Sequence, residues 1–345
     1  MRGALGLTLL ALTASPASDP EEGYGHAQLA LTGTVIVANM DDDSVWLIDA
    51  ATGRRRASFS THIAPHEIAV SSDGRRAAVT NYGDERGPGN VVQIFDVEGG
   101  AVTHEIAISG YERLHGAAFM ENDTLLALTS ERTGEVLVVS VADGTVHRRL
   151  ATGGEASHML SVGGPWIYTA NIASGTVSRI DPSGAVPTLS WPAGTRTEGL
   201  AATPDGREGW TGSMEDGSVV GVDGATGEIV ARVDGLGVPY RLAVTPDGGT
   251  VVVSDPEAGA LVLIDRSAGK VRATVDIDAA AAASGMAATS SPQGFVLSDD
   301  GAWAFVSAKG IDKVAVVDLA AARVARFLDS GAGPDGIAFS PVPGS

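Results

Sequence analysis

The sequence predicts an all-β fold, a seven-bladed β-propeller of four-stranded antiparallel blades, and three observations predict it. First, a polar residue followed by a short apolar strand returns seven times, at His66, His115, His158, Glu198, Tyr240, Gln293 and Asp335, with spacings of 49, 43, 40, 42, 53 and 42 residues. A period of roughly 40–50 residues holding several short strands marks a propeller. Second, a β-branched strand, usually ending in Asp, recurs seven times, over residues 44–49, 91–96, 135–140, 176–181, 218–223, 260–265 and 313–318. Third, 44% of the 345 residues are hydrophobic, only 19% are charged, and glycine is abundant at 45. That composition suits one large all-β domain with many turns.

Residues 1–17 stand apart. Arg2 gives a positive start, residues 5–12 form an apolar run too short to span a bilayer as a helix, and Ser15-Pro16-Ala17 supplies small residues for cleavage. This is the pattern of a signal peptide, so the protein is expected to be exported, periplasmic or secreted. N-terminal sequencing would then find the mature start between about Ser15 and Pro20. Residues 18–32 show no periodicity and read as a flexible leader. The domain is expected over 33–345.

Within each unit the elements follow in order. The first strand is the phrase just described, as in His66-Glu67-Ile68-Ala69-Val70, and most copies run into an Asp-Gly turn. A second strand ends in a small polar residue, as in Val35-Ile36-Val37-Ala38-Asn39 and Ile167-Tyr168-Thr169-Ala170-Asn171. The third strand's terminal Asp is placed to accept bonds from backbone N–H groups in the next turn, a structural role. A fourth strand closes the unit. The first unit begins with a second strand, and the last copy, residues 336–339, is a first strand with nothing after it. The C-terminal strand should therefore complete the N-terminal blade, which removes an exposed sheet edge.

The phrases Pro65-His66-Glu67-Ile68-Ala69-Val70-Ser71-Ser72-Asp73-Gly74 and Val37-Ala38-Asn39, with the strand-end Ile-Asp and Thr52-Gly53, resemble the YVTN-repeat, YncE-like seven-bladed β-propellers over about residues 33–341. The resemblance implies the same fold and an often exported protein. Related-looking propellers include lactonases, lyases and haem- or quinone-linked subunits. The sequence departs from the pattern at Gly163-Gly164, where the Asp-Gly turn is lost, and at Ser140, where the strand-end Asp is absent.

Antiparallel connections put the start of every first strand on one face, the top, at the rim of the central channel. His66, His115, His158, Glu198, Tyr240, Arg241, Gln293 and Asp335 are therefore the candidate ligand-binding residues, and two insertions, residues 83–89 and 276–292, join them there. His66, His115, His158 and Glu198, on four consecutive blades, form a set that suits one divalent metal ion. The same histidines also fit a structural role, bonding a neighbouring loop or channel water. His26, His62, His104 and His147 lack repeat-matched partners and read as surface residues. Two functions follow: a binding scaffold for a small molecule or protein on the top face, or a metal-assisted lyase or lactonase that needs a facing cation, for which Arg241 and Arg86 are candidates.

The composition also excludes. The formal net charge is −19, and loss of residues 1–17 removes only Arg2, giving −20. Such a surface repels phosphate backbones, so nucleic acid is not an expected partner. No cysteine is present, which rules out disulfides, thiolate metal sites, a lipoprotein anchor and covalent c-type haem. No membrane span and a monomer are expected.

Overall fold

A computed structural model describes residues 31–287 and 289–343. The proposed signal peptide, His26 and nearly all of the leader lie outside them. Among the described residues, seven four-stranded antiparallel sheets follow one another round a ring. Blade 1 is ordered outward as Pro334–Ser340, Thr34–Asn39, Ser44–Asp49 and Arg55–Ser60. Blades 2 to 7 begin with the inner strands Pro65–Val70, Leu114–Met120, Ser157–Gly163, Thr197–Ala202, Arg241–Val244 and Pro292–Leu297. The expected fold class is borne out, including closure by the C-terminal strand, which pairs along Thr34–Asn39 with Val35 opposite Phe339 and Val37 opposite Ile337.

Burial explains the strand compositions. A second strand lies between two blades and is covered on both faces, so Thr34–Asn39 and Leu125–Ser130 are buried at every residue. Outer strands such as Ala101–Ala107 alternate between exposed positions and half-buried or buried ones and carry the polar residues. The apolar side chains fall into seven clusters, one at each blade-to-blade interface. The last, between blades 7 and 1, joins Phe305, Val314 and Leu328 to Val35, Ile48 and Phe339. No interface of the ring is left without a core.

The strand-end aspartates act as the sequence suggests. Asp49 Oδ1 accepts from the Thr52 amide at 2.7 Å, and Asp223 Oδ1 from those of Ala225 and Thr226 at 2.8 Å each. Ser140, the departure, does the same with its hydroxyl, accepting from the Ala142 amide at 3.2 Å. The other departure has a steric cause. A Cβ on Gly163 would lie 2.5 Å from Thr203 O, and one on Gly164 would lie 2.7 Å from Asp205 O. The Asp205-Gly206 turn of blade 5 occupies the space a side chain would need.

Both insertions carry regular structure among the described residues. Residues 83–89 form a small ribbon, Gly83–Asp84 against Gly87–Pro88. Its Arg86 reaches Asp43 Oδ2 at 2.6 Å and so ties blade 2 to blade 1. The second insertion opens with the helix Ile277–Ala283, capped by Asp276 and sunk by Ile277 into the interface of blades 6 and 7. His62 and His147 are exposed, as expected of surface residues. His104 is a correction: it is half-buried, and its Nε2 lies 2.7 Å from Val141 O of the next blade, bridging the interface.

Candidate metal centre at the channel mouth

The inner strands do not run straight into the mouth. Their ladders shift register two residues in, between Pro65 and Ile68, Leu114 and Ala117, and Ser157 and Leu160, with counterparts in blades 5 and 7. A bulge of this kind re-aims side chains. Hydroxyls of the second strands hold it in place. Thr80 Oγ1 accepts from the Glu67 amide at 3.1 Å and donates to His115 O, one blade on, at 2.9 Å. Thr129 Oγ1 repeats this with the Gly116 amide at 2.8 Å and His158 O at 2.6 Å. Each of these two histidines is thus tied by its backbone to the blade before it.

The result is a compact cluster. His66, His115 and His158 are 5%, 0% and 7% exposed. One nitrogen from each lies within 4.8 Å of the others. His115 is central: its ring centroid is 4.3 Å from that of His66 and 3.6 Å from that of His158, whereas His66 and His158 are 6.5 Å apart. Both ring nitrogens of His115 are buried without a hydrogen-bond partner, and so are Nδ1 of His66 and Nδ1 of His158. A buried polar atom left unpaired costs about 1–3 kcal/mol, so the two nitrogens of His115, which face no carboxylate, call for a ligand.

Charge surrounds the cluster. Asp335 Oδ1 faces His66 Nδ1 across 3.7 Å, and its Oδ2 takes Lys309 Nζ at 3.2 Å. His158 stands between two carboxylates, Glu131 Oε2 at 3.4 Å from Nδ1 and Glu198 Oε1 at 3.4 Å from Nε2. Arg241 comes from blade 6. Its Nη1 donates to Glu198 Oε1 at 2.8 Å, and its Nη2 crosses the mouth to Glu67 Oε1 of blade 2 at 3.1 Å. Tyr82 covers the histidines, with ring centroids 5.2, 5.5 and 6.2 Å from those of His66, His115 and His158. Its hydroxyl donates to Glu131, and the guanidinium of Arg113 lies 4.8 Å from its ring centroid.

These surroundings divide the histidines. Burial, then the neighbouring His158 and His66, holds His115 well below the ordinary histidine range. Burial lowers His66 too, against the opposing pull of Asp335. Burial also pushes His158 down, but Glu131 and Glu198 outweigh it and leave it raised. Glu198 is pushed up by burial, yet His158 and Arg241 together hold it well below the usual carboxylate range. Burial and the bond to Glu131 push Tyr82 up to about 12. His66 and His115 therefore stand as neutral nitrogen donors, the form a metal requires.

Of the residues singled out from the sequence, His66, His115, His158, Glu198, Arg241 and Asp335 fall into one network. Tyr240 is half-buried, and the guanidinium carbon of Arg241 lies 4.3 Å from its ring centroid. Gln293 turns to Ser291 Oγ at 3.1 Å and joins none of these contacts. Arg86 is taken by Asp43 and Asp84. Four residues were missed by sequence reasoning: Glu67, Tyr82, Glu131 and Lys309. A signal for Glu67 exists. The position after each repeat's polar residue reads Glu67, Gly116, Met159, Gly199, Arg241, Gly294 and Gly336. The glycines sit where a Cβ would strike the next blade, 2.4 Å from Tyr240 O for Gly199 and 2.3 Å from Asp335 O for Gly294. The two charged exceptions are the pair that meets across the mouth.

No protein-family model matches the chain, and no curated protein matches it in sequence. Solved structures do resemble it. A functionally unknown protein from Desulfotomaculum acetoxidans superposes with a TM-score of 0.72 at 15% identity, over 90% of this chain and 99% of that one. Hydrazine synthase from Kuenenia stuttgartiensis gives 0.66 at 17% identity, over 79% and 88%. The dihydro-heme d1 dehydrogenase NirN gives 0.60 at 14% identity, over 91% and 66%. At these identities the likeness is one of fold.

Proposed function

We propose that this chain is an exported propeller of the YVTN-repeat, YncE-like kind that binds one divalent transition-metal ion on His66, His115 and His158 at the top of its channel. The observation that carries the reading is His115: a fully buried imidazole with two unpaired nitrogens, flanked within a few ångströms by two further imidazoles. Three imidazoles favour zinc, copper or cobalt over calcium or magnesium, which prefer oxygen. All three come from one chain, so a monomer suffices. The reading as a lyase or lactonase has less support, because the two cations it would use are both engaged, Arg241 by Glu198 and Glu67 and Arg86 by Asp43 and Asp84.

Elemental analysis of protein purified without chelators tests the proposal. The parent is expected to carry about one ion per chain, and His115→Ala about none, at unchanged β-sheet content. A parent that stays empty after incubation with zinc, copper and cobalt would leave the histidines a structural role alone.

A further inference from the structure

Glu198 enters the mouth at the same repeat position as the three histidines, yet it stands outside the set whose donor atoms gather within 4.8 Å of one another. Its Oε1 is 2.8 Å from Arg241 Nη1, against 3.4 Å from His158 Nε2. Arg241 is only 4% exposed, and its second anchor, Glu67, lies on blade 2, on the far side of the mouth. A buried guanidinium fixed between carboxylates from two directions cannot drift, since either loss leaves a buried charge unpaired. Blade 6 is also the blade whose inner strand pairs without a register shift, from Arg241 opposite Ser254 onward. The straight ladder brings Arg241 into the mouth where its neighbours place glycine.

We infer that Arg241 is a positioning residue that draws Glu198 away from the metal position, so that an ion held by the three histidines keeps one coordination place for a small exchangeable anion or water. The inference rests on the metal reading above. Three protein ligands with one open place is the arrangement of zinc sites that act on a ligand, whereas closed four-ligand sets serve structure. The class of ligand follows: a small anion that can bond a divalent ion directly, such as hydroxide, azide or the carboxylate of a small acid.

The test uses the full chain loaded with cobalt(II) and titrated with sodium azide, read by visible absorption. In the parent, azide is expected to shift the cobalt bands in a saturable way. In Arg241→Met, Glu198 is free to bind: the azide response should vanish and cobalt should bind roughly tenfold tighter. Arg241→Met with Glu198→Gln should respond to azide again. If the carboxylates stranded by Arg241→Met prevent folding, Arg241→Met with Glu67→Gln strands only Glu198 and takes its place. Cobalt bands in the parent that ignore azide would overturn the inference while leaving the metal site standing. So would an Arg241→Met protein that answers azide as the parent does. A parent that takes up no cobalt overturns the metal reading itself, and this inference with it.

Discussion

At the scale of single residues, the buried histidines carry a pH signature. His66 and His115 have lowered values in the fold, but in the unfolded chain they titrate near the ordinary value of about 6.5. Below that value the unfolded chain takes up protons that the metal-free fold does not, so these two groups cost stability as pH falls. His158 runs the other way: its raised value contributes stability that is present in acid and lost as pH rises through its folded value. Below about 6.5, where His66 and His115 act and the gain from His158 is already complete, the metal-free protein should lose urea stability as pH falls, and His115→Ala should flatten that slope. An unchanged slope in the variant would show that His115 does not titrate as its burial demands. The histidines were legible in the sequence because they fall on the repeat. Tyr82 and Glu131 were not, because each follows the end of a second strand, outside the positions the repeat compares. Glu198 was legible as a neighbour of the histidines. That Arg241 would claim it could not be read, since the pairing depends on where a blade without a bulge aims its side chain.

At the scale of elements, the inner strands pack so closely that one atom matters. A Cβ on Gly336 would stand 1.5 Å from His66 O, a backbone atom of the next blade that cannot step aside. Gly336→Ala should therefore cost at least about 1–3 kcal/mol in urea unfolding, through forced separation of blades 1 and 2. Gly116→Ala should cost less, since its Cβ would meet the Leu160 amide nitrogen at 2.7 Å. Equal, small losses for both would mean that the strands can part freely. The strand order was readable because each strand type has its own burial and its own ending residue. The bulges were not. They arise from hydroxyls such as Thr80 and Thr129, which serve two blades at once, and nothing in one repeat's sequence announces a partner in the next.

For the whole molecule, closure depends on the last strand. Deleting residues 336–345 would strip most of Pro334–Ser340 from Thr34–Asn39, a strand buried at every position, and open the interface that joins Phe305 to Val35 and Phe339. Aggregation, or a melting temperature lower by about 10 °C or more, is expected, and a truncated protein that melts with the parent would show that the clasp is dispensable. The clasp also has a meaning in time. Thr34 Oγ1 donates to Val342 O, 308 positions along the chain. At roughly 5–20 residues per second on the ribosome, the strand made first waits on the order of 15–60 s for its partner. Meanwhile blades 2 to 7 have all their strands and blade 1 lacks its inner one, which leaves the edge of Thr34–Asn39 bare. Completing the ring thus waits until Pro334–Ser340 has been made. A chain released early would carry that edge uncovered, in the form that chaperones and proteases recognise.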